Sequence, residues 1–258
     1  MIKVGDDMKA LITGASSGIG RDFAIILSDM GYDLILIARR KKKLEQLSKE
    51  LNTKVQIIDL DISSTYNCMK LYNQVKKEKI DIVINNAGFG LFGKFDETKL
   101  DTELDMIDLN IKTVHTLTKL FLKDFKKRNS GYILNVASAA AFLPGPLMST
   151  YYSTKAYVLH LTEAISEELK KEHSEVYIGA LCPGPVDTEF NDIAKVSFAL
   201  KGLNSYDVAK YAIQKMFKKK LIIIPGKKTK IGIHLSKILP INLKLKISYK
   251  LQSSKSEK

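Results

Sequence analysis

The stretch Thr13-Gly-Ala-Ser-Ser-Gly-Ile-Gly20 sets the tightest limit on how this chain of 258 residues can fold. It follows the apolar run Met8–Ile12, which reads as a buried strand. It precedes Arg21–Met30, where Phe23, Ile26, Leu27 and Met30 recur at helical spacing. The glycines therefore occupy a strand-to-helix turn. Such a turn leaves backbone N–H groups unpaired at a helix N-terminus, where the helix dipole also favours negative charge. A diphosphate suits that position. Gly14 permits the tight turn, Gly18 lets a ligand approach the backbone, and Gly20 lets the helix pack closely on the strand. The spacing differs from the commoner Gly-x-Gly-x-x-Gly, and in isolation it also suits a tight turn that binds nothing.

The rest of the chain supplies the context. Asp33–Ala38, Lys54–Ile58, Ile80–Ile84, Gly131–Val136, Val176–Leu181 and Leu221–Ile224 are apolar runs of strand length. Between them lie helical patterns: Lys41–Asn52 with Leu44, Leu47 and Leu51; Thr65–Lys79 with Met69, Tyr72 and Val75 inward; Leu100–Arg128; Thr150–Glu172; and Ser205–Lys219. Continuous apolar strands alternating with amphipathic helices mean a parallel sheet covered on both faces. The expected architecture is a single Rossmann-type, doubly wound α/β domain with a sheet of about seven strands. It spans residues 1–226, with a basic helical extension over 227–258.

No apolar run approaches the roughly 18 residues that cross a bilayer, and Met1–Lys9 lacks an apolar signal segment. Cys68 and Cys182 are the only cysteines and read as apolar packing in a reducing compartment. These features point to a soluble cytoplasmic protein. The four histidines show no metal-ligand spacing, so no metal is expected. The net charge of +13 is segregated: Lys215–Lys258 holds thirteen lysines and one acid, Glu257, whereas residues 1–214 are nearly balanced. A genome biased towards lysine would enrich it everywhere rather than segregate the sign.

A dinucleotide-binding unit usually places an acid at the end of its second strand, about 20 residues after the glycines, against the adenine-ribose hydroxyls. Here Ala38-Arg39-Arg40 stands there, and the nearest acid, Asp33, begins the strand. A guanidinium pairs with a 2′-phosphate that an acid would repel. NADPH is thus expected over NADH, chiefly through Arg39. The alternative is that both arginines belong to a basic surface with Lys41–Lys43.

Asn85-Asn86-Ala87-Gly88 and Tyr151-Tyr152-Ser153-Thr154-Lys155 complete a set of motifs, in order, that resembles the classical short-chain dehydrogenase/reductase family over about residues 8–226. The resemblance implies that Gly14, Ser16, Ser17, Gly18, Ile19 and Gly20 bind the cofactor. It implies that Asp61, followed by Ile62, contacts the adenine, with Asp59 the weaker alternative. Asn86, Ala87 and Gly88 would lie beside the ribose. Pro183, Gly184, Val186 and Thr188 would hold the nicotinamide carboxamide. Asn110, Ser138, Tyr151 and Lys155 match the family's catalytic tetrad. By the same resemblance Lys155 also holds the nicotinamide ribose, and Asn110 a water in a proton relay.

The chemistry is coherent from the residues themselves. Tyr151 and Lys155 are four apart on a helix and share a face. An ammonium there is expected to stabilise phenolate and lower the tyrosine's pKa from about 10. Ser138 can hydrogen-bond a reacting carbonyl oxygen. Tyr152 reads as packing or pocket wall.

The family's layout, implied by the resemblance, would put Phe89, Leu91, Phe92, Met148 and Phe190 near the mouth with Asp187–Asn204 as its cap; such an apolar lining suggests a carbonyl on a hydrophobic body as substrate. The leading expectation is an NADPH-dependent oxidoreductase interconverting carbonyl and alcohol, on a 3-oxoacyl group or another ketone or aldehyde, in a homodimer or homotetramer. The alternative is a non-enzymatic NADPH-binding or interaction protein that retains the fold. No nucleic-acid partner is expected. In the extension, Pro240 should separate two short basic amphipathic helices, with Ser253–Lys258 frayed. The apolar residues of these helices either pack on the body, cover the pocket or form a dimer contact, leaving solvated lysines outside, or the helices bring the protein to an anionic membrane or an acidic acyl-carrier protein.

Overall fold

The apolar runs form parallel strands β1 (Lys9–Thr13), β2 (Asp33–Ala38), β3 (Val55–Asp59), β4 (Ile82–Asn85), β5 (Tyr132–Val136), β6 (Tyr177–Leu181) and β7 (Ile222–Ile223). They make one sheet ordered β3-β2-β1-β4-β5-β6-β7. The computed structural model describes residues 8–190, 194 and 202–253. Strand order reverses between β1 and β4, whose pairing runs from Ala10↔Ile82 to Ile12↔Ile84. In such sheets the carboxyl ends at that reversal form a crevice for ligands.

The alternation of side chains along each strand explains the two covered faces. Leu34 and Leu36 of β2 enter the cluster with Phe23, Leu27, Ile213 and Met216, whereas Ile35 and Ile37 enter the opposite cluster with Leu71, Phe121 and Phe125. Each fully buried leucine or isoleucine contributes about 1.5–3 kcal/mol relative to exposure. The helices of the body are α1 (Gly18–Asp29), α2 (Lys41–Ser48), α3 (Thr65–Val75), α4 (Leu100–Ile107), α5 (Val114–Arg128), α6 (Ser149–Lys171) and α7 (Ser205–Phe217); α4 lies off the two sheet faces, with its Met106 packed against Met148 and Tyr151.

Two expectations are corrected. The inward stripe of α3 is Cys68, Leu71 and Val75, and Met69 is exposed, because the stripe is set one residue earlier than the Met69–Tyr72 pairing implied. The Leu100–Arg128 pattern is also not one α-helix: a π-helical stretch, Asp108–Thr113, joins α4 to α5. Its wider turns shift the phase of the helix and turn Asn110 fully into the interior.

Helices α8 (Lys227–Ile238) and α9 (Ile241–Ser253) follow β7 and are separated at Pro240, as the sequence implies. Their packing on the body is specific. Ser248 Oγ donates to Pro144 O at 2.7 Å, Gln252 Nε2 donates to Tyr152 OH, and Lys237 Nζ lies 5.7 Å from the centre of the Phe142 ring. The end of the chain expected to fray, beyond Ser253, lies outside the described residues. No helix among the described residues is long and apolar enough to cross a membrane. Cys68 and Cys182 are both buried and unbridged.

Candidate active site

A cavity of about 840 Å³ opens along the carboxyl ends of the strands. Gly14, Ser16, Ser17, Gly18, Ile19, Arg39, Asp61, Ile62, Asn86, Ala87 and Gly88 line one part. Ser138, Tyr151, Lys155, Pro183, Gly184, Val186 and Thr188 line the other. Of the two candidate acids, Asp61 lines the cavity and Asp59 does not.

The glycine turn has the features of an anion site. Gly14 has φ +67, which favours glycine. Gly20 has no room for a side chain, since a Cβ there would lie 2.3 Å from Gly14 O. Asn86 locks the turn to the end of β4, donating from Nδ2 to Thr13 O at 3.0 Å. The Thr13 hydroxyl accepts from Asn86 N at 3.0 Å and Ala87 N at 3.1 Å. Helix α1 carries no side-chain cap and no acid in its first turn. Its N–H groups and dipole therefore face the cavity without a protein anion. The donor set fits a dinucleotide diphosphate.

Of the two arginines, Arg40 closes over this turn. Its Nη2 donates to Ser16 Oγ at 2.9 Å and Ser17 Oγ at 2.7 Å, and its Nη1 to Glu189 Oε2 at 2.6 Å. Glu189 is also paired with Lys43. Hydrogen bonds from Lys43 and Arg40 hold its carboxyl down to about 2. Arg39 projects beside Asp61, with Nη1 3.8 Å from Oδ2, and remains largely exposed. The sequence singled out Arg39 and missed the buttress role of Arg40 and Glu189. Only the fold brings residues so far apart in the chain together.

Ser138, at the end of β5, and Tyr151 and Lys155, on α6, converge deep in the cavity. Lys155 Nζ donates to Val136 O at 2.9 Å and lies 5.9 Å from the centre of the Tyr151 ring. Burial pushes the Tyr151 phenol up to about 12, against a hydrogen bond from Ser138 that acts in the opposite direction. The same burial holds the Lys155 ammonium down to about 8. The lowering expected from the lysine does not prevail: desolvation is the largest influence on the phenol and outweighs the Ser138 hydrogen bond. The phenol thus keeps its proton at neutral pH.

Asn110 stands one layer behind. Its Oδ1 accepts from Phe89 N at 3.1 Å, while Nδ2 donates to Phe89 O at 2.9 Å and Thr154 Oγ1 at 3.1 Å. It does not line the cavity and clamps the segment after β4 to α6. The apolar wall consists of Phe89, Met148, Tyr152 and Phe190; Leu91 and Phe92, expected at the mouth, pack behind it. Of the expected cap, Asp187–Asn204, the ends are tied together by Asp187 N donating to Leu203 O at 3.0 Å and Leu203 N to Pro185 O at 2.9 Å. Residues 191–193 and 195–201 lie outside the described residues. Leu251 and Gln252 of α9 also line the cavity. Covering of the pocket is one of the alternatives the sequence leaves open for the extension; which residues do so cannot be read from spacing, because a contact made 100 residues away from Tyr152 has no local signal. All four histidines are exposed.

Parallel doubly wound topology, a turn suited to a phosphate and a Ser-Tyr-Lys cluster whose tyrosine and lysine are buried together define a nucleotide-dependent oxidoreductase. Residues 8–195 match the profile of the family described as short chain dehydrogenase, and the chain belongs to that family. It is 34% identical over 195 residues to an uncharacterized oxidoreductase of Staphylococcus epidermidis, covering 74% of this chain and 83% of that one. It is 35% identical over 198 residues to a very-long-chain 3-oxoacyl-CoA reductase of Pyrenophora tritici-repentis, covering 73% of this chain and 58% of that protein. Among solved structures, a short-chain dehydrogenase from Sphingobium yanoikuyae in complex with NADPH aligns with a TM-score of 0.79 at 27% identity, over 91% of this chain and 96% of that one. A short-chain dehydrogenase/reductase from Burkholderia phymatum in complex with NAD aligns with a TM-score of 0.82 at 24% identity, over 91% and 94%, a likeness of fold. The cavity is accordingly that of a nicotinamide-dependent oxidoreductase.

Proposed function

We propose that the protein is an NADPH-dependent reductase of a carbonyl carried on a hydrophobic body, such as a 3-oxoacyl thioester. The convergence of Ser138, Tyr151 and Lys155 at the floor of an apolar-walled cavity carries this reading. When bound, the reduced nicotinamide supplies a hydride. Ser138 Oγ hydrogen-bonds the carbonyl oxygen and orients it between the apolar walls. Tyr151 holds the proton and delivers it to that oxygen as negative charge develops there. A phenol held near 12 remains protonated at pH 7, and an alkoxide is basic enough to take its proton. The Lys155 ammonium, anchored on Val136 O, stabilises the phenolate left behind. Asn110 acts as a positioning residue by holding Phe89 against α6.

The NADPH preference rests on Ala38-Arg39-Arg40, where a 2′-phosphate would meet guanidinium rather than carboxylate. The 3-oxoacyl assignment is supported by the apolar wall and by the names of relatives such as the Pyrenophora reductase. The experiment is a turnover screen with NADPH and NADH over 3-oxoacyl thioesters of increasing chain length and small free ketones, with Tyr151→Phe as the control. Activity should rise with chain length, prefer NADPH and vanish in the variant. Cofactor binding without turnover of any carbonyl would instead establish a binding protein that keeps the fold.

A further inference from the structure

Both C-terminal helices expose most of their apolar side chains, and three of their four buried positions are polar. The buried positions of α9 are Ser248 and Gln252, and those of α8 are Ile233 and Ser236. Ile231, Leu235 and Ile238 recur at i, i+4 and i+7 along the outer face of α8, and Ile238 is 79% exposed. On α9, Leu243 and Ile247 form a second outer stripe, with Lys244, Lys246 and Lys250 beside it. Residues 227–253 contain seven lysines and no acid. A helix that merely covers a protein turns its apolar stripe inward. On α9 the inner face is held by hydrogen bonds from Ser248 to Pro144 and from Gln252 to Tyr152, so its outward stripe is a consequence of specific docking on the body.

We propose that α8 and α9 seat the protein on an anionic lipid surface, with Ile231, Leu235, Ile238, Leu243 and Ile247 entering the acyl boundary. The lysines would face lipid phosphates, their aliphatic stems lying along the apolar stripe. Charge and apolarity occur together, which a lipid surface satisfies at once. An acidic protein would satisfy the lysines and leave the stripe in water. A second copy would bring lysine against lysine across a self-complementary interface with no acid to offset them. Because α9 also walls the cavity through Leu251 and Gln252, docking would set the cavity beside the bilayer. The advantage of that for an apolar substrate rests on the proposed reductase activity; the docking itself does not.

The test uses the full chain and flotation with vesicles of phosphatidylcholine alone or mixed with phosphatidylglycerol, at low and high salt. The protein should float with the anionic vesicles at low salt, and binding should fall about tenfold or more at high salt and in Lys244→Glu/Lys246→Glu/Lys250→Glu. Ile231→Ser/Leu235→Ser/Ile238→Ser should weaken it comparably even at low salt. Circular dichroism and thermal melts should show both variants folded as wild type. Absence of wild-type flotation, or folded variants that float unchanged, would overturn the proposal. So would light scattering that shows a dimer dispersed by the isoleucine/leucine variant, or binding to an acidic carrier protein without binding to vesicles. Flotation without carbonyl turnover would leave the docking intact and count against the reductase reading alone.

Discussion

Replacing Lys155 with methionine should abolish reduction and yet leave the protein, relative to wild type, more stable at neutral pH than in alkali. The buried ammonium of Lys155 titrates near 8, against 10.5 for a free lysine side chain, with desolvation as the cause. At pH 7 the folded protein therefore carries a charged group that prefers water by about 3 kcal/mol. The sign follows from proton counts. Between about 8 and 10.5 the unfolded chain binds the lysine proton and the folded chain has released it, so wild-type stability rises with pH through that window. Lys155→Met removes this titration. It also strips Val136 O of its donor, which costs about 1–3 kcal/mol at every pH. The absolute stability difference at pH 7 is thus small, about 0–2 kcal/mol in favour of methionine. Its pH dependence isolates the lysine: wild type should gain about 2 kcal/mol on the variant between pH 7 and 9.5. Urea unfolding of both proteins at several pH values measures this, since other groups titrate alike in each. A difference that stays constant across the range would refute desolvation as the dominant influence on Lys155.

Four further outcomes follow from the site. Tyr151→Phe should remove reduction while leaving NADPH affinity within a few-fold, whereas Tyr152→Phe should keep substantial turnover; steady-state rates and cofactor titrations of the pair decide the proton donor. Arg39→Asp should weaken NADPH by about tenfold or more without harming NADH, and Arg40→Ala should weaken both, because Arg40 braces the shared glycine turn; equal dissociation constants for the two cofactors in wild type would defeat the phosphate reading. Gly20→Ala should cost about 1–3 kcal/mol in a thermal or urea melt, because a Cβ there would lie 2.3 Å from Gly14 O. Glu189 has a depressed pKa, so its contribution is present above about 4.5 and is lost as pH falls towards about 2. Its half-exposed pairs limit that contribution to about 1 kcal/mol or less, measurable as a difference between wild type and Glu189→Gln in acid unfolding.

The architecture was readable along the chain because its causes are local and repetitive. Leu34, Ile35, Leu36 and Ile37 are apolar without alternation, which only a strand covered on both faces requires. Pro240 cannot continue a helix whatever surrounds it. The glycine turn and the Tyr151–Lys155 spacing are likewise short-range patterns, and the cavity collects nearly every residue those motifs named. The phase error in α3 and the unseen π-helical stretch at Asp108–Thr113 arose where periodicity tolerates a shift of one residue.

Other properties belong to distances between residues far apart in sequence, and no spacing encodes those. The Tyr151 pKa is one: a tyrosine four residues from a lysine suggests a lowered value, and only burial reverses the sign. The bracing of Arg40 by Glu189 and the retreat of Asn110 behind Phe89 are others. The C-terminal helices show the same division. Their lysines and their break at Pro240 are written in the chain. Which side of α9 meets the body was settled by Ser248 reaching Pro144 and Gln252 reaching Tyr152, long-range hydrogen bonds that leave Leu243 and Ile247 facing outward.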